Sequence, residues 1–199
     1  MIKTFYNVDQ DLHYSKFDAL LKKIKSGTEI KSNGIFISGN PGVGKTTFVK
    51  WFLKNINATS KEFLKIDDWI SKYQKSWKAE SFEGIYIEQP KNLATKKILI
   101  IDDLGSEYIH SSTAPYIQEL LEFRYEFCNK NKNTLTIFTS NFSFEKIEKT
   151  YSKNSDREMG KRIISRLKGI VNLWIAFEGN DKRIKDSEVI DKRLGEVIF

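Results

Sequence analysis

The sequence predicts a three-layer α/β/α sandwich around a parallel central sheet. Short apolar, β-branched runs alternate with stretches of helical periodicity along the chain, the pattern left by repeated strand–crossover–strand units. These runs are unbroken rather than alternating with polar residues, as strands covered on both faces require. The first of them leads directly into a glycine-rich turn and then a helical stretch.

The elements follow in order. Lys3–Asn33 carries Leu12, Phe17, Leu20, Leu21 and Ile24 at helical spacing, which predicts a helix packed on the core. Strands are expected at Gly34–Ser38, Glu62–Ile66, Lys97–Asp102, Thr134–Thr139 and Val171–Phe177. Helices are expected at Thr46–Asn55, Asp67–Ser76, Thr113–Asn129, Glu145–Tyr151 and Glu158–Lys168. In such a sheet, ligands bind at the carboxyl ends of the strands. A length of 199 residues suits one domain spanning 1–199, with 1–33 as its helical lead-in.

Composition narrows the function. Hydrophobic residues make up 40 % and charged residues 30 %, a globular balance. No apolar run is long enough to cross a bilayer, and the first residues lack the apolar core of a signal peptide. Cys128 is the single cysteine, which excludes an internal disulfide and a cysteine-based zinc cage. A cytoplasmic protein is expected. The net charge of +7, from 33 Lys+Arg against 26 Asp+Glu, suits a nucleic-acid surface or a merely lysine-rich composition.

Gly39-Asn40-Pro41-Gly42-Val43-Gly44-Lys45-Thr46 fits G-x-x-x-x-G-K-T between the first core strand and a helix. That setting predicts a phosphate-gripping loop, whose backbone N–H groups and helix N-terminus converge on anionic oxygens. Lys45 is expected on the β/γ-phosphates of ATP and the Thr46 hydroxyl on Mg²⁺, with Thr47 the next nucleotide-contacting position. Ile98-Leu99-Ile100-Ile101-Asp102-Asp103 ends an apolar strand in two carboxylates. Asp102 is expected to hold Mg²⁺ and Asp103 to orient or deprotonate the attacking water, although Asp-Asp-Leu-Gly is also good turn chemistry. Thr139-Ser140-Asn141 ends another strand. Asn141 is expected near the γ-phosphate if that strand lies between the Lys45 strand and the Asp102 strand.

Downstream, Arg162 and Arg166 lie four apart on a basic helix and share a face. They suit a finger into a neighbour's nucleotide site, a solvated face, or a DNA-phosphate contact. Trp69, Tyr73 and Trp77 recur every four residues, with Lys72, Lys75 and Lys78 beside them. The aromatics suit either base stacking or the buried stripe of an amphipathic helix, and the lysines are the better candidates for DNA phosphates.

Taken in order, these motifs resemble the AAA+ ATPases, and more narrowly the DnaC/DnaI-type bacterial helicase loaders and the related IstB-type transposition helpers. The resemblance rests on Gly39–Thr46, on Leu99–Glu107, on Phe123-Arg124-Tyr125, on Thr139-Ser140-Asn141, on Arg162-Ile163-Ile164-Ser165-Arg166-Leu167 and on Gly179–Arg183. It implies that Arg166 is the trans finger, with Arg162 second, and that Arg183 contacts nucleotide from a lid. It places Arg124 near a subunit boundary, unless Arg124 pairs with Glu119 or Glu122. It implies a Mg²⁺-dependent ATPase that self-associates on single-stranded DNA and loads or remodels a replicative ring helicase. A helper delivering a transposase and a nucleotide-gated scaffold with little turnover are the alternatives. Loaders usually carry a separate helicase-gripping N-terminal domain, and none is expected within this sequence.

Overall fold

In a computed structural model, the described residues are 3–5, 22, 33–78, 89–106, 114–154, 157–179 and 181. They form a six-stranded sheet: β1 (Lys3–Phe5), β2 (Asn33–Gly39), β3 (Lys61–Lys65), β4 (Ile98–Asp102), β5 (Leu135–Ser140) and β6 (Leu173–Phe177). The spatial order is β1-β6-β2-β5-β4-β3, and every pairing is parallel. The helices are α1 (Lys45–Asn55), α2 (Ile66–Lys78), α3 (Pro90–Ala94), α4 (Ala114–Lys130), α5 (Phe144–Asn154) and α6 (Arg157–Ile170).

Strand alternation divides the core in two. Phe36, Leu99, Ile101 and Phe138 face one side, where they pack with Ile117 and Leu121 of α4, Ile147 of α5 and Ile163 of α6. Ile35, Ile37, Ile100 and Ile137 face the other, against Phe48, Val49 and Phe52 of α1. Both faces are therefore apolar, and β4 and β5 are buried at every position. This is the three-layer α/β/α sandwich expected, and the continuous runs are its cause.

Two elements differ from expectation. Lys3–Phe5 begins the expected helical segment but is a strand beside β6. Three residues are too few to carry a period of their own, and only the neighbouring strand makes them a strand. The short helix α3 was not expected. Pro90 at its first turn loses no bond there. Apart from Lys22, which is helical, the remainder of the lead-in lies outside the described residues.

Among the described residues, Arg124 is the largest fully buried side chain. It stands neither at an exposed boundary nor against Glu119 or Glu122. Its guanidinium donates to the carbonyls of Ala94, Lys96, Lys97 and Leu135, and its Nε to Thr136 Oγ1 at 2.8 Å. It ties the end of α3 to the starts of β4 and β5. Burial lowers its pKa to about 10, so the group remains charged at neutral pH.

Candidate functional site

Sheet order gathers the predicted residues. β5 lies between β2 and β4, so the tip carrying Asn141 stands between the glycine loop and the acidic strand end. The register makes this specific. Ser38 is level with Ser140, and Ile101 is level with Phe138, which places Asp102 beside Thr139.

Residues 40–44 form the loop between β2 and α1. Gly42 has φ 79° and Gly44, the N-cap of α1, has φ 95°, left-handed values at which a side chain would be strained. Val43 anchors the loop in the core, while Asn40 and Pro41 are exposed. Lys45 is buried at the start of α1. Its ammonium donates to Gly39 O at 2.8 Å, Asn40 O at 2.9 Å and Asn141 Oδ1 at 2.7 Å.

The acids separate because Asp102 closes β4 and Asp103 leaves the strand in a left-handed bend. Asp102 accepts from Thr46 Oγ1 at 3.1 and 3.0 Å to its two oxygens, and from Thr139 Oγ1 at 2.7 Å. Burial raises its pKa, and the hydrogen bonds from Thr139 and Thr46 oppose that shift. Asp103 takes a left-handed φ of 64° and turns the other way, so that Asn141 Nδ2 donates to its Oδ1 at 3.0 Å. One Asn141 amide thus joins the Lys45 ammonium to the Asp103 carboxylate.

The turn after β4 is pinned to β5. Asp103 N donates to Thr139 Oγ1 at 2.9 Å, Leu104 N to Thr139 O at 2.8 Å, and Ser140 Oγ to Leu104 O at 2.6 Å. Thr139 therefore touches both acids. Sequence reasoning read it only as part of a polar triplet, and the signal for its role is the register between β4 and β5.

The donors fit a hard divalent cation. Thr46 and Asp102 present oxygens side by side, and among the described residues the hydrogen bonds to the buried carboxylate come from the Thr46 and Thr139 hydroxyls. Among the described residues there is no cluster of three or more His, Cys, Asp or Glu that holds a metal by itself. Mg²⁺ needs none, because it keeps waters and takes substrate phosphates alongside one or two protein ligands.

Arg162, Arg166, Lys72 and Lys75 take no part in the hydrogen bonds of this network. Arg162 is exposed on α6. Arg166 is held within the chain by Glu122 of α4 and stacks over the Tyr125 ring. Lys72 and Lys75 are exposed on α2, whereas Trp69 is 3 % exposed and belongs to the core. The side chains of Tyr73, Trp77 and Lys78, and all of Arg183, lie outside the described residues. Thr47 is exposed on the first turn of α1.

A family model described as Novel STAND NTPase 3 matches residues 23–171. No curated protein matches the chain. The fold is similar to a crystal structure of DnaI, with TM-score 0.61, 20 % identity, and coverage of 89 % of this chain and 86 % of that one. It is similar to the DnaC helicase loader, with TM-score 0.60, 21 % identity, and coverage of 88 % and 92 %. It is also similar to the replication initiator DnaA bound to AMPPCP and single-stranded DNA, with TM-score 0.58, 17 % identity, and coverage of 93 % and 56 %. At these identities the likeness is one of fold.

Proposed function

The chain belongs to the Novel STAND NTPase 3 family, and from that premise we propose that it is a Mg²⁺-dependent ATPase that assembles on single-stranded DNA and loads or remodels a replicative ring helicase. The observation that carries the ATPase reading is the polar network running from Lys45 through Asn141 to Asp103, beside the Thr46–Asp102–Thr139 cluster. All of it sits at the carboxyl ends of three adjacent parallel strands, where such sheets bind ligand.

In this reading Lys45 exchanges the loop carbonyls for the β- and γ-phosphates, and the loop N–H groups take the remaining oxygens. Thr46 and Asp102 would hold Mg²⁺, which when bound would neutralise charge on the phosphates. Asn141 faces the γ-phosphate with one end of its amide held and positions Asp103 with the other. A water oxygen attacks the γ-phosphorus, its proton passes to Asp103, and the bond to the ADP oxygen breaks. Arg166 of an adjoining subunit, with Arg162 as the second candidate, stabilises charge on the transferring group. Lys72, Lys75 and Lys78 contact DNA phosphates, and Arg183 contacts nucleotide.

The helicase-loading part is supported by the fold shared with DnaI and the DnaC loader across most of both chains. DNA as the platform is supported by the DnaA likeness and the +7 net charge. Phosphate release with and without single-stranded DNA, against a Lys45→Ala control, tests the ATPase. Turnover no higher than the control leaves only a nucleotide-gated scaffold. Co-purification with a ring helicase supports loading, and recovery of a transposase in its place supports the transposition-helper alternative.

A further inference from the structure

The C-terminal side of β6 places an acid on the phosphate loop. Gly39 at the end of β2 is level with Phe177 at the end of β6, so the chain leaving β6 emerges beside the loop. It turns at Gly179, whose φ is 140°, and Asp181 then lies against Gly42. A Cβ on residue 42 would fall 1.8 Å from Asp181 Oδ1, 2.0 Å from its Cγ and 2.5 Å from Oδ2. The carboxylate occupies space that only a glycine leaves open, and Asp181 is half-buried there.

We propose that Asp181 is a built-in competitor of the nucleotide: its carboxylate occupies the rim of the phosphate loop and must be moved or electrostatically tolerated when polyphosphate binds. The inference rests on the nucleotide-binding reading above and adds to it a residue that sets affinity. The loop is an anion site formed by converging N–H groups and a helix N-terminus. A carboxylate at its edge satisfies that field while the site is empty, and repels phosphate oxygens when they arrive. Repulsion grows with the charge of the ligand, so Asp181 weakens a triphosphate more than a diphosphate. Because that penalty applies only to bound nucleotide, neutralising Asp181 tightens binding without adding a contact.

The test is equilibrium binding of ATP and of ADP, each with Mg²⁺, to the full chain and to Asp181→Asn and Asp181→Ser, read by calorimetry. Both variants are expected to bind ATP about ten-fold more tightly than the unaltered protein, with a smaller gain for ADP. Unchanged or weaker ATP binding in both variants overturns the proposal and makes Asp181 a support of the loop. An equal gain for ATP and ADP also overturns it, because charge would not be the cause. If the unaltered chain and both variants bind no nucleotide, the ATPase reading itself fails. That result is distinct from intact binding that Asp181 does not influence.

Discussion

Arg166 Nε donates to Glu122 Oε2 at 2.5 Å, and its guanidinium carbon lies 5.1 Å from the centroid of the Tyr125 ring. The arginine proposed as a finger for a neighbouring subunit is therefore held within its own chain. Both side chains are 36 % exposed, and an ion pair so open to water contributes about 1 kcal/mol at most. A neighbour's phosphates can displace Glu122 at little cost. Arg166→Ala is expected to lower DNA-stimulated turnover by about 10³-fold while nucleotide affinity is kept. Mixing it with Lys45→Ala protein should restore part of the activity through composite sites, as measured by phosphate release. Absence of rescue over either variant alone removes the trans arrangement.

Asn141 stands between Lys45 and Asp103, and its two ends do different work. Asn141→Ala removes both contacts and is expected to lower kcat by about 10–100-fold with little change in KM for ATP. Asn141→Asp keeps an acceptor for Lys45 but sets a second carboxylate beside Asp103, and should be at least as slow. Steady-state kinetics separate the cases: a rise in KM alone would show that Asn141 acts in ground-state binding.

Asp102 is held in a site that disfavours its own charge. Burial raises its pKa above the ordinary 3.8. Its contribution to folding is therefore fully present below the unfolded value and is lost as pH rises through the higher folded one. At pH 7 the empty protein carries that cost. Asp102→Asn removes it, so thermal melting of the nucleotide-free variant should occur at or above the temperature of the unaltered protein. Turnover should nonetheless fall by about 100-fold or more, and Mg²⁺ with ATP should stabilise the unaltered protein far more than the variant. A variant that melts lower without nucleotide would contradict the electrostatic account.

Arg124 is the reverse case, a buried charge that the fold needs. Arg124→Leu takes the guanidinium donor from the carbonyls of Ala94, Lys96 and Leu135, while the Lys97 carbonyl keeps the Leu135 amide. Buried acceptors left unpaired cost about 1–3 kcal/mol each, and partial relaxation still leaves a loss of about 3 kcal/mol. That corresponds to a fall in Tm of about 10 °C for a domain of this size. Arg124→Lys should recover little of it, since one ammonium cannot span four carbonyls. Thermal or urea melts measure this, and an unchanged midpoint would show that water replaces the guanidinium.

The sequence by itself determined the layered class and the phosphate loop. Unbroken runs as short and as β-branched as Ile98–Ile101 suit strands covered on both faces, and Gly39–Thr46 carries its geometry in its own glycines and in the strand and helix that flank it. The sequence did not determine that Thr139 would bridge Asp102 and Asp103, that Arg166 would rest on Glu122, or that Asp181 would reach Gly42. Nor could it separate a boundary arginine from a buried tie at Arg124, or read a strand in Lys3–Phe5. Each of these depends on which strands and helices become neighbours. Such adjacency is set by packing between segments far apart in the chain, and no local period records it.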